Sequence, residues 1–166
     1  MPLFPEIDAD AIYISRSNHD EPLASYAAFS FDLDGFTWPT VEHYFQAMKF
    51  DDQAYQQKIA AAQSPEYAKK LGRSRFKRIR KDWKEKRKTM MTRGMYICAK
   101  TNPEVYEALM ASGEKQFVES SAYDYFWGCG RDRRGENQYG KMLMQIRGKL
   151  LEEQREQLSK DQTGEQ

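Results

Sequence analysis

Cysteine and histidine are scarce in this 166-residue chain, with two of each: Cys98, Cys129, His19 and His43. Two cysteines exclude a disulfide framework, and these four residues lack the spacing of a zinc site. Long apolar runs are missing too. No stretch approaches the ~20 residues that span a bilayer, and no apolar N-terminal region reads as a secretion signal. The expected setting is the cytoplasm, with no membrane partner, no metal, no cofactor and no obligate protein partner. Internal repeats and linkers are also absent. What remains is globular composition, 40% hydrophobic and 31% charged, in a chain long enough to bury about two-thirds of its unfolded surface. A single domain over residues 1–158, followed by a polar tail over 159–166, is the expected organisation.

Net charge is close to zero, at +1, but it is unevenly spread. Arg73, Arg75, Lys77, Arg78, Arg80, Lys81, Lys84, Lys86, Arg87 and Lys88 follow one another, opposed only by Asp82 and Glu85. Such a run suits phosphate or nucleic acid, and it equally suits a solvated face balanced by acids elsewhere in the fold. The expected division keeps Arg73, just past a helix-ending glycine, as a phosphate contact and leaves most of the others in solvent.

The pattern along the chain is mainly α within an α+β class: helices joined by short turns, with little strand. Ala11 to Ser15 and Ala27 to Phe31 read as short strands, the second leading into an Asp34-Gly35 turn. A helix is expected from about Pro39 and another from Ala54 to Gln63. Ser64-Pro65-Glu66 then supplies a cap, a first-turn proline and a first-turn acid, with Gly72 as the stop. Asp82 is expected to cap a long helix carrying Trp83, Met90, Met91, Met95 and Cys98 inward. Asn102-Pro103 breaks it and starts another, ended by Gly113. Gly128 to Gly135 is a loop without the context of a dinucleotide fingerprint. From about Asn137 a last helix carries Tyr139, Met142, Leu143, Ile146 and Leu150 at helical spacing.

The most informative stretch runs from Thr37 to Phe50. On a helical wheel Glu42, Gln46 and Lys49 share one stripe, while Val41, Tyr44, Phe45 and Met48 share the neighbouring one. One side is suited to a core and the other offers an acid, an amide and an amine to a cleft. A plain amphipathic helix with its polar face in water has the same pattern. His43 flanks the stripe, placed either as a structural hydrogen-bonder or as a proton donor.

Trp38-Pro39-Thr40-Val41-Glu42-His43-Tyr44-Phe45-Gln46-Ala47, then Lys49-Phe50, resembles the signature of the NADAR (YbiA-like) family. Three more stretches resemble that family in order: Leu23-Ala24-Ser25-Tyr26; Ala68 to Arg73 with Asp82-Trp83; and Asp124 to Gly128 with Gly135 to Met144. The resemblance covers roughly residues 12 to 150. Two positions depart from the family pattern. Ser25 stands where Asn is usual, so no binding role is carried onto it, and Tyr139 stands for Leu, as a core substitution.

The resemblance implies a compact YbiA-like helical fold and cleavage of N-glycosidic bonds. The first substrate candidates are ribosylated, phosphorylated pyrimidine intermediates of riboflavin synthesis. The alternatives are removal of ADP-ribose from guanine in nucleic acid, or a non-catalytic module that binds ADP-ribose or NAD.

Breaking an N-glycosidic bond builds positive charge at the anomeric carbon, which a carboxylate stabilises while a donor assists the leaving base. Glu42 is the first carboxylate candidate and Asp124, in an aromatic loop, the second. Lys49 is either a cation for the substrate's phosphate or, as a neutral amine, a Schiff-base nucleophile. Along a straight helix it lies about 10 Å of rise from Glu42, too far to pair directly. Substrate contacts are expected from Trp38, Tyr44, Gln46, Arg73, Trp83, Trp127, Gly128 and Asn137. Asn137 has a second reading, as the cap of the last helix. Glu42, Lys49, Asp124 and Trp127 are expected to line one cleft.

Overall fold

The computed structural model describes residues 10–164. They hold six helices and four three-residue strands, an α+β fold dominated by helix. The chain divides into two compact units: residues 15–108, and residues up to 14 together with those from 109 onward.

In the first unit, β2 (Phe31–Leu33) and β3 (Phe36–Trp38) form an antiparallel hairpin, with Phe31 opposite Trp38. Its turn is Asp34-Gly35, both in the left-handed region at φ 56° and 83°, where glycine and aspartate are best tolerated. The strand therefore lies a few residues later than Ala27–Phe31. Helix α1 (Val41–Ala47) begins two residues after Pro39, because Thr40 is the cap and its hydroxyl accepts the His43 N–H. It is surrounded by α2 (Gln53–Ala60), α3 (Pro65–Gly72) and α4 (Trp83–Thr101). All seven α1 residues are buried, so the wheel's solvent-facing stripe does not exist.

Ser64 caps α3 as its sequence indicates, with its hydroxyl accepting the Tyr67 N–H. Asp82 precedes α4 but makes no side-chain cap, because both of its carboxylate oxygens accept from the Arg80 guanidinium. Met91, Met95 and Cys98 do turn inward from α4, whereas Trp83 and Met90 are half-buried.

In the other unit, β1 (Ile12–Ile14) pairs in parallel with β4 (Phe117–Glu119), Ile12 opposite Phe117. Helix α6 (Gln138–Thr163) lies against β4 through Tyr139, Met142, Leu143, Ile146 and Leu150, all buried. This apolar repeat at helical spacing drives the packing. Tyr139 is fully buried, a core residue. Arg147, on the same helix, donates to the Ser112 hydroxyl and the Lys115 carbonyl and lies over the Phe117 ring. Beyond Leu158 the chain remains helical to Thr163, rather than becoming a frayed tail. Helix α5 (Pro103–Ala111) contains the boundary between the units.

Candidate active site

Helix α1 builds the site. Glu42 is fully buried and Gln46, one turn on, is 2% exposed. The Gln46 amide N–H donates to Glu42 Oε1 at 2.7 Å, and the Ser25 hydroxyl donates to Oε2 at 2.9 Å. The Ser25 carbonyl also accepts the Glu42 backbone N–H. The Arg16 guanidinium stands 3.7 Å from Oε1, with 11% of its side chain exposed, and lies over the Phe45 ring. Burying a lone carboxylate is costly, and here one cation and two hydrogen bonds to its oxygens compensate for the lost water.

Lys49 does not continue the helix. Met48 is the C-cap, and the Lys49 and Phe50 N–H groups bond back three residues, to Gln46 and Ala47. The chain therefore leaves the helix axis at Lys49. The Lys49 ammonium is pushed down to about 8, chiefly by burial. Glu42 opposes that shift, while Arg73, Arg16 and Lys69 reinforce it. These groups thus share one electrostatic field. Tyr26 joins it: burial and the Glu42 charge push its phenol up to about 12. Trp83 packs against Phe45 with ring centroids 5.1 Å apart.

Arg16, Ser25 and Tyr26 are the members that sequence reasoning misses. Ser25 departs from the family pattern, yet its hydroxyl holds the carboxylate. Arg16 carries no local signal, since it lies in a loop 26 residues before Glu42.

Other expected substrate contacts sit elsewhere in their own packing. Trp38 and Tyr44 are fully buried. The Trp38 indole N–H donates to the Leu33 carbonyl, and the Tyr44 hydroxyl meets Arg93 and the Met90 sulfur. Both belong to the core behind the site. His43 uses both ring nitrogens, Nδ1 with the Thr40 hydroxyl and Nε2 with the Ala62 carbonyl. Burial lowers its pKa, so the ring is neutral and structural.

Asp124, Trp127, Gly128 and Asn137 lie in the second unit. Asp124 Oδ1 accepts the N–H groups of Phe126 and Trp127, closing a local turn. Trp127 is buried edge-on to Phe126 and Tyr139. At Gly128 an added Cβ would lie 2.3 Å from Glu119 Oε2, so only glycine fits. Asn137 is the N-cap residue of α6 but makes no side-chain capping bond. Its side chain accepts the Glu119 N–H and donates to the Phe117 carbonyl, extending the edge of β4.

Within the basic run, Arg73, Arg75, Lys77, Arg78 and Lys81 are exposed. Lys77 pairs with Asp52 and Arg80 with Asp82. Among the described residues no three His, Cys, Asp or Glu side chains gather as a metal cluster, and no helix is long and apolar enough to cross a membrane.

The unit built around α1 thus gathers a buried carboxylate, a lysine with a lowered pKa and surrounding cations. Residues 7–151 match the NADAR domain family, and the chain belongs to it. Among particular members, it is similar to the N-glycosidase YbiA of Escherichia coli. The two are 35% identical over 138 residues, 83% of this chain and 86% of that protein. It is 41% identical over 128 residues to the maize chloroplastic riboflavin biosynthesis protein PYRR, spanning 71% of this chain but only 20% of that protein. The solution NMR structure of E. coli YbiA superposes with a TM-score of 0.79 at 33% identity, covering 94% of this chain and 96% of that one.

Proposed function

We propose that the chain hydrolyses the N-glycosidic bond of a ribosylated, phosphorylated base, with an early riboflavin-pathway ribosylaminopyrimidine 5'-phosphate as the first substrate candidate. The printed names of its relatives, N-glycosidase and riboflavin biosynthesis protein, support that choice. One observation carries it: a lysine with a depressed pKa shares a field with a fully buried carboxylate and further cations. A lysine at about 8 is roughly one-tenth neutral at pH 7, enough to supply a nucleophile.

With exposed Arg73 close enough to Lys49 to influence its charge and to hold the phosphate, Lys49 acts as the amine. Its nitrogen adds to C1 of the ring-opened sugar. The base departs as its own amine, taking up the proton, and a Lys49 Schiff base remains. Water then hydrolyses that imine to the sugar aldehyde and regenerates the lysine. Glu42, sealed from solvent, acts through its charge on the cationic intermediates rather than by touching water.

The test is turnover of the ribosylaminopyrimidine phosphate with borohydride added. A trapped sugar adduct mapped to Lys49, absent in Lys49→Ala, is the expected result. Turnover without an adduct would replace the Schiff base by direct hydrolysis. Asp124→Asn tests the second carboxylate, and full activity in that variant would remove it from the mechanism.

A second reading, removal of ADP-ribose from guanine in nucleic acid, draws on one observation. Phe76 is 96% exposed amid Arg75, Lys77 and Arg78, an arrangement suited to stacking a base beside a phosphate chain.

A further inference from the structure

Gly72 closes α3, where a glycine usually serves as the left-handed residue that stops a helix. It is not in that conformation: the positive-φ glycines among the described residues are Gly35, Gly113 and Gly130. The final helical turn would accept alanine, a better helix former by about 1 kcal/mol. Space is what forbids it. A Cβ on Gly72 would lie 2.0 Å from Gln46 Oε1, 2.9 Å from Gln46 Cδ and 3.1 Å from Gln46 Cβ.

Gln46 cannot swing aside, because it is 2% exposed and α1 is buried along its whole length. Its amide is held from two sides. Nε2 donates to Glu42 Oε1 at 2.7 Å, and Oε1 accepts no hydrogen bond among the described residues. The carbonyl end of the amide lies instead in the space that a Gly72 side chain would fill. The orientation of Gln46, and with it one of the donors that hold Glu42, is thus set by the absence of a side chain on a neighbouring helix.

We infer that Gly72 is a positioning residue for the Glu42 carboxylate, acting through the Gln46 amide. This rests on the glycosidase reading given above and extends it to a residue with no functional group of its own. Adding a methyl at Gly72 pushes the amide along its Nε2 axis into Glu42, which Ser25 and Arg16 confine on its other sides. Displacements of about 1 Å near a reacting centre cost up to about a hundredfold in rate.

The experiment is a double-mutant cycle of Gly72→Ala and Gln46→Ala, read by kcat, KM and the Gln46 side-chain amide resonances. Gly72→Ala alone is expected to lower kcat at least about tenfold and to change KM less than about threefold. In the Gln46→Ala background the same substitution is expected to change kcat less than about twofold, since only the Cβ contact remains. An undiminished loss in that background, or no loss in the single variant, would overturn the inference. If Gly72→Ala alone does not fold, the double variant decides: recovery of the folded protein supports the clash, and failure to recover it refutes it. Should the wild type turn over no ribosylated base, the glycosidase reading falls. The side-chain amide spectrum still judges Gly72, because unshifted Gln46 resonances in Gly72→Ala would refute the positioning role.

Discussion

Glu42 and Lys49 are the residues on which function turns, and burial shapes both. Glu42→Gln keeps the shape but removes the charge, leaving the Arg16 guanidinium 3.7 Å away without its partner. The expected outcome is a fall in kcat/KM of about 10²–10³ in steady-state assays of a folded protein. Lys49 separates its two roles by pH. Its folded-state pKa lies below the ordinary value, so the neutral amine accumulates as pH rises through about 8. An amine nucleophile then gives a kcat/KM that climbs with pH and levels off above about 8. A phosphate-holding cation gives the reverse, a plateau at lower pH and a fall above that value. Folding is linked with the same sign. Below about 8 the charged lysine opposes folding, and that penalty is relieved between about 8 and the ordinary lysine value of 10.5. At this scale the sequence put Glu42 and Gln46 one turn apart on α1, with Lys49 just beyond its end. It misjudged exposure, because a wheel shows which residues share a face and not what covers it.

Helix α1 is short, at seven residues, and isolated helices of that length do not persist in water. Its stability comes from capping and from the helices around it. Thr40 accepts the His43 N–H and also bonds the His43 ring, so Thr40→Ala is expected to lower stability by about 1–2 kcal/mol, measurable by urea denaturation. Close approach of α4 depends on Gly94, where a Cβ would stand 2.6 Å from Tyr44 Cδ1. Gly94→Ala is expected to cost about 1–3 kcal/mol despite its better helix propensity. A neutral or stabilising result would mean that Tyr44 repacks freely. Caps such as Ser64 were legible because a capping bond spans only three residues. The Asp82 cap was misread because Arg80, two residues away, competes for the same carboxylate.

Across the whole molecule, near-zero net charge conceals a concentrated run of cations between Arg73 and Lys88. A small ribosylated substrate needs only the members nearest Lys49. A single-stranded oligonucleotide at about 0.15 M salt is therefore expected to leave turnover of the small substrate unchanged. Strong inhibition that weakens steeply with salt, and is lost in Phe76→Ala, would instead favour the nucleic-acid reading. The run itself was legible, but its division into paired and solvated cations was not. Lys77 finds its partner in Asp52, on another element.

By itself the sequence determined the helical character of the chain, its family, and the acid and amide one turn apart on the signature helix, since each depends on spacing within a few turns or on ordered motifs. Only the tertiary structure decided that Glu42 is sealed from water, that Arg16 and Ser25 converge on it, and that Gly72 makes room for Gln46. Burial and electrostatic coupling depend on which distant segments pack together. Ser25, 17 residues from Glu42, is beside it because the loop before β2 folds back over α1.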